Sequence, residues 1–152
     1  MDKEDILNIL KSANDQLLEN HVLILERYDD YISLDRNQLF QLSSILLRNS
    51  KLKKALNVSE YIKESFGELK FKEKMLLGNI YFRLSKYNQA KEIFAEINTQ
   101  KDNLRNKYIL SKCHFELGDL IEAESLIESE ISLSEGKPRW YFLHEINLKQ
   151  KL

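Results

Sequence analysis

The stretch LLGNIYFRLSKYNQAKEIF, residues 76–94, sets Leu77 and Gly78 before Tyr81, and Ala90 and Phe94 after a polar break. Placing Ala90 over Ala123 aligns Leu77 with Leu110, Gly78 with Ser111, Tyr81 with His114, Leu84 with Leu117 and Phe94 with Ile127, at a constant offset of 33 residues. A fainter copy lies 35 residues earlier at Ala55, preceded by Leu42, Ser43, Leu46 and Leu52. Three units with a period of about 34 residues predict a stacked array of helix-turn-helix hairpins.

The physical logic lies in the small residues. Ser43, Gly78 and Ser111 fall on the first helix of each unit and Ala55, Ala90 and Ala123 on the second, so the two helices approach closely there. Tyr81, Leu84, Tyr87 and Phe94 fill the surrounding space at helical spacings. NSK (49–51), LSK (84–86) and LGD (117–119) supply the short turns, with Gly118 free to take a positive φ.

Composition agrees with an all-helical reading. In 152 residues there are one Pro, four Gly and 43% hydrophobic residues, enough for one core but not for two independent domains. The chain is therefore read as a single domain, 1–152. It has an N-terminal helical segment (1–35), repeats at 36–70, 71–103 and 104–136, and a capping helix (137–152). Residues 3–33 are expected to be helical, with one apolar stripe at Leu10, Leu17, Ile24 and Tyr31 and a second at Leu18, Val22, Leu25 and Ile32. Two stripes imply two packing neighbours. Asp35 and Gln38 have the spacing of a capping box at the start of the first repeat. Gly136 and Pro138 end one helix and begin another, leaving 139–151 to cover the last repeat's apolar side.

Chemistry-bearing motifs are scarce. Cys113 is the one cysteine, which excludes an internal disulfide and a cysteine-based zinc site and fits a reducing compartment. His21, His114 and His144 are scattered, and His114 occupies a packing position. Cys113 and His114 are neighbours whose side chains leave a helix about 100° apart, so adjacency does not make them a nucleophile and base. Glu122/Glu124 and Glu128/Glu130 have no base nearby in sequence and read as solubilising charges. Gly-rich phosphate loops, H-E-x-x-H, G-x-S-x-G and EF-hand patterns are absent. No catalytic, cofactor-binding or metal-binding residues are expected.

The acidic opening MDKEDILNIL lacks a secretory pattern, and no apolar run reaches the roughly 20 residues of a membrane span. An intracellular protein, cytoplasmic or nuclear, is expected. Charge is distributed in blocks: residues 1–35 hold three bases and nine acids, 36–91 twelve and four, 92–136 four and ten, and 137–152 four and one. Adjacent blocks of opposite sign guide partner choice or self-association. RNSKLKK (48–54) and KFKEK (70–74) raise nucleic-acid binding, but the acidic flanks and a pI near 6.3 favour a solvated face or an acidic protein segment.

Over residues 36–136 the pattern resembles the tetratricopeptide repeat family. It departs at the family's first-helix tryptophan, where Lys74 and Lys107 stand, and at Ser59, which occupies an aromatic position. The resemblance implies a right-handed superhelical stack whose first helices line a concave, protein-binding groove. Carried over position by position, that groove comprises Phe40, Ser44 and Leu47 in the first unit. Met75, Asn79, Phe82 and Arg83 follow in the second, and Tyr108, Lys112, Phe115 and Glu116 in the third. Phe40 and Ser44 replace the Lys/Asn clamp that grips chaperone C-termini in some members, which disfavours that role.

KYILSKCHFELGDLIEAESLI (107–127) and ALNVSEYIKES (55–65) are similar to repeats of the anaphase-promoting complex's tetratricopeptide subunits. This implies a non-catalytic scaffold of a ubiquitin ligase, often homodimeric in that family, with self-association through the N-terminal segment. Three repeats with flanking helices also look like type III secretion translocator chaperones, and a generic adaptor would share the same features. Ala90→Trp is expected to lower stability by about 1–3 kcal/mol or more through overpacking. A thermal melt identical to the parent's would mean that the repeat register is wrong.

Overall fold

The computed structural model describes residues 2–13, 18–100, 104–131 and 137–150. Among these there are nine α-helices, one short 3-10 turn and no strands. The helices are α1 (Lys3–Ser12), α2 (Glu19–Arg27), α3 (Arg36–Arg48), α4 (Leu52–Phe66), α5 (Phe71–Arg83), α6 (Tyr87–Gln100), α7 (Leu104–Glu116), α8 (Leu120–Ile131) and α9 (Lys137–Gln150), with the 3-10 turn at Asp30–Ser33. Odd-numbered helices begin at residues 3, 36, 71, 104 and 137, and even-numbered ones at 19, 52, 87 and 120. The steps are 33 or 35 residues throughout, so both terminal segments keep the phase first seen at Ala55, Ala90 and Ala123.

The N-terminal segment differs from its expected single run. It is two helices and a 3-10 turn, because Leu18 and Tyr28 have extended backbone that interrupts the helix. A seven-residue stripe needs an unbroken helix and is lost with it. Leu10, Val22 and Leu25 are buried, but Leu18 is 55% and Ile32 63% exposed; Leu17 lies outside the described residues.

The helices form two compact units, residues 1–80 and 81–152. In the first, α3 packs against α4, and α1 and α2 pack against α3. Asp35 caps α3 as expected: its carboxylate accepts from the Gln38 amide at 2.9 Å and the Gln38 side chain accepts from the Asp35 amide at 2.9 Å. Where α3 and α4 meet, the Ser43 hydroxyl donates to the Ala55 carbonyl at 2.9 Å and lies 2.7 Å from the Ser59 hydroxyl. Both serines are almost fully buried. Ser59 stands where an aromatic was expected because its hydroxyl joins this buried pair; an aromatic ring would leave Ser43 without that partner.

One turn geometry recurs three times. At the end of α3, the Lys51 amide donates to the Leu46 carbonyl (2.8 Å) and the Ser50 amide to the Leu47 carbonyl (3.1 Å). The same pair recurs with Lys86 to Tyr81 and Ser85 to Phe82, and again with Asp119 to His114 and Gly118 to Phe115. This is the Schellman closure, which needs a left-handed residue at its centre. Gly118 takes it at φ 84°, and so do two residues with a side chain, Ser50 at 61° and Ser85 at 60°. An L-residue in this region costs about 1–2 kcal/mol, which the two closing hydrogen bonds offset. The next carbonyl along then accepts from the small residue: Lys51 from Ala55, Lys86 from Ala90, Asp119 from Ala123.

Within the second unit, α6 packs against α7, α7 against α8 and α8 against α9. The Ser111 hydroxyl donates to the Ala123 carbonyl at 2.6 Å, repeating the Ser43–Ala55 bond. Phe115, Ala123, Ile127 and Ile146 form a buried cluster joined by Tyr108, Leu120 and Leu143. Ile146 and Leu143 belong to α9, so the last helix packs on the apolar side of the α7–α8 hairpin. Residues 132–136, including Gly136, lie outside the described residues; Pro138 occupies the first turn of α9.

One ion pair ties the start of α3 to the start of α5. Arg36 donates through Nε (2.9 Å) and Nη2 (2.6 Å) to the Glu73 carboxylate, and Nη2 also donates to the Glu68 carbonyl. Glu73 is 3% exposed and also accepts from the Lys70 amide at 2.7 Å. Burial works to raise the Glu73 carboxyl, but the Arg36 hydrogen bonds, the Lys70 amide and the nearby positive charges hold it below its ordinary value. A carboxylate depressed by folding contributes stability that is complete above its unfolded pKa, about 4.3. That contribution is lost as pH falls through the lower folded value. Glu73→Gln is therefore expected to be less stable than the parent near neutral pH, with the gap closing below about pH 4 in urea melts. A gap independent of pH would show that the charge of Glu73 contributes nothing.

Candidate functional site

The proposed partner-facing positions divide between the two units. Phe40, Ser44, Leu47, Met75 and Asn79 belong to the first, and Phe82, Arg83, Tyr108, Lys112, Phe115 and Glu116 to the second. In the first unit Phe40 and Ser44 are half-buried and line a cleft of about 100 Å³ between α3 and the end of α1, together with Leu10, Ala13 and Arg48. The Lys72 ammonium lies 4.7 Å from the centroid of the Phe40 ring. Asn79 donates its amide to the Met75 carbonyl at 2.8 Å, one helical turn back.

In the second unit the Phe82 ring meets Tyr87 edge-to-face, with centroids 5.6 Å apart. Lys112 lies 5.1 Å from the Tyr108 centroid, one helical turn away, and Arg83 and Glu116 are exposed. Phe115 is 7% exposed, packed in the cluster that includes Ile146, with the Lys149 ammonium 4.4 Å from its ring centroid. Sequence reasoning grouped Arg48 and Lys72 in the basic segments 48–54 and 70–74 without placing Lys72 over the Phe40 ring, and it missed Lys149 at Phe115. Their signal is faint: Lys149 falls 33 residues after Glu116, but a phase position does not say which way a long side chain turns.

Part of the basic cluster is neutralised internally. Lys51 lies 3.4 Å from Glu26, and Lys54 pairs with Asp29 at 2.6 Å while resting 5.0 Å from the Tyr31 centroid. The acidic N-terminal block thus faces the basic one within a single chain. Mixed pairing of this kind differs from the continuous cationic track that phosphate neutralisation uses.

The remaining reactive residues have structural surroundings. His114 is half-buried with Nδ1 3.2 Å from Asp119 across the turn. Cys113 is fully buried, and desolvation pushes its thiol up to about 12. Among the described residues no group of three or more His, Cys, Asp or Glu is placed to hold a metal ion. None of the described helices is long and apolar enough to cross a membrane.

Residues 70–130, 61 of the 152, match the family model of the anaphase-promoting complex, cyclosome, subunit 3. Among solved structures, MamA (41-end) from Desulfovibrio magneticus RS-1 is 14% identical with a TM-score of 0.79, over 97% of this chain and 85% of that one. The fold is that of the tetratricopeptide repeats. The type III secretion translocator chaperone SycD of Yersinia enterocolitica shares it at 18% identity and a TM-score of 0.65, over 90% of this chain and 98% of that one. So does PcrH in complex with the chaperone binding region of PopB, at 20% identity and 0.56, over 76% and 97%. No curated protein sequence matches the chain. Cys113 on α7 is a core residue, and a thiol with so little thiolate is a poor nucleophile. Native protein is expected to resist a disulfide thiol reagent at pH about 8 and to react fully in denaturant. Rapid labelling of the folded protein would show Cys113 to be accessible.

Proposed function

We propose that this protein is a non-catalytic interaction scaffold, with residues 1–152 acting as one interaction domain that holds partner proteins on the faces of its first helices. The observation that carries this reading is the tetratricopeptide architecture itself, with the Phe40 and Tyr108 rings each beside a lysine and the Phe82 ring against Tyr87. Rigid rings beside exposed charges suit anchoring of a partner segment, since aromatics dominate interface energetics and rim charges govern selectivity.

The specific assignment we propose is a structural subunit, or a fragment of one, of the anaphase-promoting complex, in the cytoplasm or nucleus. The match of residues 70–130 to the subunit 3 family model supports it. Self-association through the N-terminal segment belongs to the same proposal. A type III translocator chaperone is the second reading, favoured by likeness to nearly the whole length of SycD and by PcrH's complex with a PopB segment.

The test is a tagged pull-down from the native organism at physiological salt, with the parent and Phe82→Ala compared by mass spectrometry. Cullin-like and other tetratricopeptide subunits in the parent, depleted in Phe82→Ala, are the expected outcome. Recovery of one secreted, membrane-active protein would replace the ubiquitin-ligase assignment with the chaperone reading. Equal recovery of every partner by both forms would remove Phe82 from the binding face.

A further inference from the structure

We propose that the cleft between α1 and α3 receives an acidic, partly apolar partner segment. An apolar side chain would enter beside Phe40, and carboxylates would lie on Arg48 and Lys72. This deepens the interaction-scaffold reading, on which it rests, by naming the chemistry of the partner.

The cleft has an apolar floor and a cationic rim. Leu10 and Ile45, 5% and 2% exposed, line it with Phe40, and its volume of about 100 Å³ gives room for an aliphatic side chain. Arg48 lines the same cleft from the last turn of α3 and is exposed. Lys72, also exposed, reaches over the Phe40 ring from the first turn of α5.

These two cations differ from the ion-paired ones of the same unit. Arg36, Lys51 and Lys54 are bound to Glu73, Glu26 and Asp29. Neither Arg48 nor Lys72 forms an ion pair among the described residues. Glu73, adjacent to Lys72 in sequence, is engaged by Arg36 and by the Lys70 amide. Lys72 also sits at the positive end of the α5 dipole, where a cation is disfavoured and an anion is drawn in. A lysine over an exposed or half-exposed ring gains only about 0.5–1 kcal/mol from it, so Lys72 remains available to a carboxylate.

The juxtaposition sets the partner's pattern. An apolar residue fits the cleft and acidic residues must flank it, whereas a basic segment would meet Arg48 and Lys72 with like charge. Bare acidity is insufficient, because the floor would stay unfilled and the rim charges are screened by salt.

The test is phage display of short random peptides on the full chain. It is run in parallel on Arg48→Gln/Lys72→Gln and on Phe40→Ala, with circular dichroism confirming that each variant is helical. The parent is expected to enrich peptides in which Asp or Glu flanks Leu, Ile or Phe. A synthetic representative is expected to bind the double variant about tenfold more weakly or worse, and Phe40→Ala likewise. Enrichment of basic or uncharged peptides, no enrichment at all, or equal affinity for the parent and the double variant would each overturn the proposal. If Phe82→Ala still loses partners in the pull-down when that happens, the scaffold reading stands and only the acidic class falls.

Discussion

The α3–α4 and α7–α8 hairpins each depend on one close approach, where a small side chain on the first helix meets a small side chain on the second. At Ser43 and Ala55, and again at Ser111 and Ala123, the serine hydroxyl donates to the backbone carbonyl of the alanine. The partners are 12 residues apart in both cases, with a Schellman turn between them. Helix length, turn type and contact position are therefore coupled. A longer turn would carry the serine past its carbonyl, and a larger side chain at either position would separate the backbones. Ser50 and Ser85 show the strength of this coupling, since both adopt a backbone region that a side chain disfavours in order to close the turn at the required place.

Electrostatics acts on top of that packing. The acidic and basic blocks of the first unit are drawn together through Glu26–Lys51 and Asp29–Lys54, at the join of the N-terminal hairpin with α4. Such exposed pairs contribute little individually; they orient surfaces more than they stabilise them. The Arg36–Glu73 pair is different in kind. Its carboxylate is buried and also accepts from the Lys70 amide, so it fixes how α5 begins relative to α3.

The aromatic rings at the proposed partner-facing positions are not equivalent. Phe40 borders an open cleft, Phe82 leans on Tyr87, and Phe115 is absorbed into a core completed by α9. In each unit a lysine from a later odd-numbered helix lies over a ring, Lys72 over Phe40 and Lys149 over Phe115. At Phe40, which borders the open cleft, apolar and cationic character lie side by side at the surface, whereas at Phe115 the ring belongs to the core.

Much of the fold was legible before any coordinates. The period through Ala55, Ala90 and Ala123, the three turn tripeptides and the Asp35/Gln38 capping box are local or near-local signals, determined by helix geometry and sterics, and they determine an all-helical tetratricopeptide array. What stayed illegible was of two kinds. The interruption at Leu18 and Tyr28 is a backbone event that an apolar stripe does not encode, so the N-terminal pair α1–α2 was hidden inside one apparent run. The pairing of long charged side chains depends on contacts between residues distant in sequence. Position 36 finding position 73, or Lys72 crossing to Phe40, is decided only once helices pack, because a flexible four-bond side chain has no preferred partner until the surrounding surface selects one.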